Sequence, residues 1–279
     1  MKFYLLILLL LAVFGGLLPG RGRAEILSPL IEPVEVQPPH RIQFEAGLFA
    51  GTDRELHDGE AGPREFSTTS FQPIKISANP GFEAVSVEVG ISFAHHRENY
   101  DGNYKNRTAQ LGPFIYLKNQ FSSYFSLVMG VGGTDSNELL AHNIPDLKFN
   151  IPFRIPLTAG KFLYGESGYQ VHSGSPEDYN ADYANRDNYG LGIERRYPAA
   201  NSRVFLEFKS ESAPLENHLS YRRLQSLAAG TQFPLENLFF TQREGSVTSF
   251  VSHGLAEGSP DVAAGLIFSL NFEDRERGR

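Results

Sequence analysis

Ala264-Gly265-Leu266-Ile267-Phe268-Ser269-Leu270-Asn271-Phe272 sets the pattern from which the rest of this 279-residue chain is read. Leu266, Phe268, Leu270 and Phe272 share one parity, whereas Gly265, Ser269 and Asn271 share the other. Side chains of a strand alternate between faces, so the segment predicts a strand with one continuous apolar face and one mostly polar face. Many strands fit such a pattern. Its weight comes from the preceding chain, which repeats the alternation about a dozen times.

The opposite end predicts export. Lys2, an apolar run from Phe3 to Leu18, and the small residues Gly22 and Ala24 make a secretory signal peptide over 1–24, cleaved before Glu25. A spanning anchor is the alternative, but Gly15, Gly16, Pro19 and Gly20 break the helix ahead of the small-residue site. Without Lys2, Arg21 and Arg23, the 25 basic residues fall to 22 against 32 acidic ones. That balance excludes a general nucleic-acid binder, which needs a basic face. The absence of Cys excludes disulfides and thiolate chemistry. No later run is long enough for a spanning helix, so a membrane location requires a barrel.

Residues 25–40 hold four prolines and no period, and read as a periplasmic lead-in. Strands are expected at 41–52, 70–79, 83–94, 107–118, 122–133, 146–157, 161–173, 187–198, 202–212, 222–234, 238–252 and 261–272, with a charged tail at 273–279. The connections sort by length. Those at 53–69, 95–106, 134–145, 174–186, 213–221 and 253–260 are long, whereas 80–82, 119–121, 158–160, 199–201 and 235–237 are short. A meander through an outer membrane produces this alternation, with long loops outside and tight turns in the periplasm. An exported β-sandwich is the soluble alternative, but Greek-key links do not sort loop length by end. Phe44, Phe82, Phe121, Tyr124, Phe162, Tyr164, Tyr197, Phe239 and Phe272 gather near the short turns, as an interfacial girdle would. Pro113, Pro152 and Pro156 and the lack of Trp run against this picture.

Taken together, the leader, the strand ladder, the loop alternation and the terminal aromatic strand resemble the bacterial outer-membrane β-barrel class over nearly all of the chain after residues 1–24. The segments Leu163–His172 and Gly190–Glu194 resemble uncharacterised proteins of that class. The resemblance implies a single all-β domain: an antiparallel up-and-down barrel of about twelve strands in the outer membrane. It also implies that Gly265, Phe268, Leu270 and Phe272 act as an assembly signal for barrel-assembly machinery, among lipid and lipopolysaccharide.

Parity assigns Arg154, Glu166, Gln170, His172, Glu194, Arg196, Glu207 and Lys209 to the interior as candidate solute-contacting residues, beside Gln43, Glu45, Ser86, Glu88, Lys148, Asn150, Tyr164, Asn188 and Phe205. Arg154 is expected nearly opposite Glu166, and Glu194 nearly opposite Glu207. Such residues either fill a narrow interior with ion pairs or form a selective constriction. The mixed signs, with acids slightly ahead, suit neutral, cationic or zwitterionic solutes.

Other chemistry finds little support. Outer-membrane lipid hydrolases place His and Ser two apart on a strand, but Val171-His172-Ser173-Gly174-Ser175 spaces them by one and three. Adjacent His95 and His96, with Asp101, and the acidic run Glu177, Asp178 and Asp182 lack metal-loop spacing. No cofactor fingerprint is present. The expectation is a barrel passing or binding a small polar solute. The alternatives are a plugged barrel whose outer loops bind a partner and, less favoured, a lipid-modifying hydrolase.

Overall fold

The computed structural model describes residues 31–39, 41–55, 64–79, 84–100, 103–106, 110–132, 146–171, 185–212, 223–235, 245–256 and 262–273. They form β1 (Arg41–Glu55), β2 (Arg64–Ala78), β3 (Val85–Tyr100), β4 (Asn103–Asn106), β5 (Gln110–Gln120), β6 (Ser126–Gly132) and β7 (Asp146–Thr158). The second half contributes β8 (Lys161–Val171), β9 (Arg186–Tyr197), β10 (Ser202–Ser212), β11 (Arg223–Pro234), β12 (Gly245–Gly254) and β13 (Val262–Glu273). Each barrel strand pairs antiparallel with the next, and β1 pairs with both β2 and β13, so twelve strands close on themselves. The thirteenth, β4, pairs among the described residues with the outer end of β3, from Arg97 to Tyr100.

The quoted C-terminal segment closes the ring. Phe44 pairs with Leu270 and Leu48 with Leu266, and the register runs unbroken from Arg41↔Glu273 to Thr52↔Val262. Apolar residues of the outward parity stand exposed around the circumference, including Ile42, Ile91, Ile115, Ile151, Leu191 and Leu206. A protein surrounded by water does not leave so continuous an apolar belt uncovered, whereas lipid covers it at no cost. At the short-turn end Phe121, Tyr124, Phe125, Tyr197 and Phe272 are exposed, as an interfacial girdle requires. Phe162 and Tyr164 do not belong to that girdle: they lie on the inward parity, Tyr164 is buried, and Phe162 lies under two guanidinium groups. Phe82 and Phe239 are outside the described residues.

Several boundaries differ from the alternation pattern. β2 begins at Arg64, and β3 runs on to Tyr100, where β1 and β2 still pair at Glu55↔Arg64. The apolar alternation stops where lipid would stop, but backbone hydrogen bonding continues beyond it. His95 and His96 consequently sit inside β3, opposite Thr69 and Thr68, and not on a loop. β6 is shorter than expected, with 122–125 outside it, and the described part of β12 starts at Gly245, the expected turn 235–237 falling partly on 236–244 outside the described residues.

The prolines of β7 find a local solution. The β6–β7 ladder ends at Val128↔Asn150, next to Pro152. Beyond it, the pairing reduces to the Phe125–Phe153 bridge and the Arg154 N–H donating to the Tyr124 carbonyl at 2.8 Å. The N–H groups that Pro152 and Pro156 lack would point the same way as that of Arg154, toward the side where β6 has given out.

Candidate functional site: a charged lumen holding the N-terminal segment

The inward faces of β7–β10 carry most of the residues singled out from the sequence, and the structure connects them into two carboxylate-centred clusters. Glu194, on β9, is 2% exposed. It receives Arg203 Nη1 at 2.6 Å and Arg196 Nε at 2.7 Å, with Arg154 Nη2 at 3.3 Å. Three guanidinium groups thus surround one buried carboxylate with charge-assisted contacts. Arg203 Nε also donates to Gln232 Oε1 at 2.7 Å, and Gln232 Nε2 donates to Ser246 Oγ at 2.9 Å, carrying the network across β11 to β12.

Glu166, on β8, is the second centre. Asn150 Nδ2 donates to it at 2.6 Å, and Lys209 Nζ lies 3.7 Å away. Glu207 accepts the Tyr164 hydroxyl at 2.5 Å. Tyr164 can lie flat across the wall because Gly192, its cross-strand partner, has no Cβ; one there would fall 2.6 Å from the ring. The cross-strand expectations therefore shift. Arg154 stands opposite Tyr164, Glu166 opposite Pro152, and Glu194 opposite Phe205. Arg154 reaches Glu194 on the strand beyond β8, since a long side chain inside a tilted barrel spans diagonals that a pairing rule ignores.

Residues 31–39, expected as a lead-in outside the barrel, lie among these inward side chains. From the short-turn end the segment is held rung by rung. The Arg41 N–H donates to the Pro38 carbonyl at 3.2 Å, and Asn79 Nδ2 donates to the Gln37 carbonyl at 2.7 Å. Gln37 Nε2 donates to Gln43, and the Val36 N–H donates to Gln120 Oε1 at 3.3 Å. Glu35 pairs with Arg154 and stands 3.7 Å from Arg196. Glu32 stands 3.3 Å from Lys118 Nζ, and its backbone N–H donates to Glu166 Oε2 at 2.8 Å. Ile31 and Val34 are 1% and 2% exposed. A Cβ on Gly190 would meet Ile31 Cγ1 at 2.7 Å, so the wall is flattened where this side chain rests. Glu32 belongs to no strand. Burial works against its charge, but Lys118, Lys75 and Lys148 outweigh that and hold its carboxyl at about 2.

Sequence parity overlooked Lys75, Lys118, Arg186 and Arg203, although each alternates correctly with inward neighbours. Lys75 bridges Glu88 at 3.1 Å and Glu45 at 3.5 Å. With these included, the described inward side chains carry Lys75, Lys118, Lys148, Arg154, Arg186, Arg196, Arg203 and Lys209 beside Glu45, Glu88, Glu166, Glu194, Glu207 and Glu211. Charges of both signs line the described wall, and Glu32 and Glu35 add two carboxylates from within. Gln170 pairs in register with Lys148 and Arg186. His172 lies outside the described residues, as do Ser173, Ser175, Asp101, Glu177, Asp178 and Asp182. Among the described residues no group of three His, Cys, Asp or Glu is arranged to hold a metal.

The chain is similar in structure to an outer membrane channel from Pseudomonas putida F1, with a TM-score of 0.64 and 10% identity over 89% of this chain and 100% of that one. It is similar also to the β domain of the Bordetella autotransporter Brka, with a TM-score of 0.53 and 10% identity over 84% and 100% of the two chains. The translocator domain of the autotransporter NalP from Neisseria meningitidis gives 0.51 and 10% over 82% and 87%. No protein-family model and no curated protein matches the chain. At such identities the likeness is one of fold, and the fold is that of the bacterial outer-membrane β-barrels: twelve antiparallel strands closed around a polar lumen.

Proposed function

We propose that this barrel resides in the outer membrane of a Gram-negative-type bacterium and passes small polar solutes passively through its lumen, without catalysis. The observation that carries the reading is the opposition of its two faces: an outward apolar belt, and an inward ladder of charge running through Glu194, Arg154, Glu166 and Lys209. Wall charges of both signs set the selectivity of a polar pore. After removal of residues 1–24, the refolded chain should insert into planar bilayers and give a stable conductance. Neutralising Arg154 and Glu166 should alter its ion selectivity. Unchanged conductance and selectivity in that variant would remove these residues from the solute path.

In this reading the terminal strand serves assembly. Phe268 and Phe272 face outward, Leu270 packs against a buried cluster of Phe233, Leu235 and Val247, and Gly265 is buried on the inward parity. They offer the barrel-assembly machinery an apolar edge before β1 closes on it, and lipopolysaccharide surrounds the outer rim.

A second reading is favoured by residues 31–39 in the lumen: a plugged barrel whose outer loops bind a partner. Deleting 174–184, ahead of β9, should then abolish partner binding and leave conductance untouched.

A further inference from the structure

The wall around Glu32 and Glu35 is built for carboxylates and is occupied by the chain's own. Arg154 and Arg196 converge on Glu35 over the ring of Phe162, whose centroid lies 3.8 Å and 5.0 Å from the two guanidinium carbons. Glu35 leaves this pair underused: Arg154 Nε and Arg196 Nη2 are buried without a hydrogen-bond acceptor, and Glu35 Oε2 is buried without a donor. Arginine pairs favour planar oxyanions that can accept from two donors at once. Deeper in, Lys118 is 1% exposed and has Glu32 at 3.3 Å. Lifting residues 31–39 out would take Glu32 from Lys118 and leave Arg154 and Arg196 to share Glu194 with Arg203, at a high cost in desolvated charge. An incoming anion would offset that cost.

We infer that Arg154, Arg196 and Lys118 form a binding site for the carboxylate groups of an organic-acid solute, and that Glu32 and Glu35 occupy it as an internal mimic while residues 31–39 plug the lumen. This rests on the channel reading and names its solute class. The segment leaves by the short-turn end, where it is tied to the start of β1, and solute carboxylates replace its own. Exchange of like for like keeps the charge around Arg154, Arg196 and Lys118 the same in the plugged and the loaded lumen.

The test uses the refolded chain without residues 1–24 and carrying Ile31→Cys and Gly190→Cys. The natural chain has no Cys, and the close approach of Ile31 to position 190 places the two thiols within disulfide reach. In planar bilayers the oxidised protein should conduct weakly, and reductant should raise the conductance several-fold with an anion preference. Succinate should then reduce the current in a dose-dependent way, whereas neutral succinamide should not. Equal conductance in both redox states, or indifference of the reduced form to succinate, overturns the inference while leaving a channel in place. A folded, heat-modifiable protein silent in both states overturns the channel as well. Should the cysteine pair prevent folding, Glu32→Gln with Glu35→Gln in the same chain should raise conductance and succinate sensitivity without any cross-link, and unchanged values count against the site.

Discussion

At the scale of single residues, the lumen depends on a few buried carboxylates that each answer several cations. Glu194→Gln removes the one anion shared by Arg203, Arg196 and Arg154. Removing one partner from a buried ion-paired cluster costs about 3–5 kcal/mol, to be read as a lower urea midpoint for the refolded barrel. Tyr164→Phe removes one donor to Glu207 and should cost about 1.5–3 kcal/mol, the worth of one hydrogen bond to a charged group. The reverse order of the two losses would contradict the geometry. Glu32 adds a pH signature. Its folded value lies below the ordinary 4.5, so its contribution is complete above that value and fades as pH falls toward about 2. Conductance of the plugged form should therefore be the same at about pH 7 and about pH 5. A plug released over that interval would show that Glu32 is not held as described.

At the scale of elements, the strands were legible and their partners were less so. The alternation in Leu266–Phe272 and in Leu147–Leu157 gives each strand's faces correctly because lipid and lumen impose opposite chemistry on successive residues. Ile151 and Asn150 are adjacent in sequence, yet one is 52% exposed and the other fully buried. Ile151→Lys should accordingly cost about 2–4 kcal/mol in the bilayer if it lies near the midplane, measured by folding into lipid vesicles. The boundaries misled where polarity and pairing part company, as in β3, whose ladder continues through His95–Tyr100 after the apolar alternation has ended. Residues 31–39 left no signal at all. Prolines and single acids without a period look like a linker, and only the closed wall around Glu32 and Glu35 reveals their partners. Parity could have found Lys118 and Arg203; nothing local could have paired Lys118 with a residue 86 positions away.

At the scale of the whole molecule, the barrel couples an apolar outside to a charged inside in which Glu32 and Glu35 of the N-terminal segment pair with Lys118 and Arg154 of the wall. That coupling ties selectivity to the position of residues 31–39, not to the wall alone. The most direct measurement is single-channel conductance, with reversal potentials in a salt gradient, of the refolded chain beginning at Glu25 and of the same chain beginning after Pro39. A small stable conductance in the first, rising and turning toward anions in the second, is the result expected of a plugged barrel with a basic wall. Two folded, heat-modifiable proteins that both remain silent, or two that conduct identically with a cation preference, would contradict it.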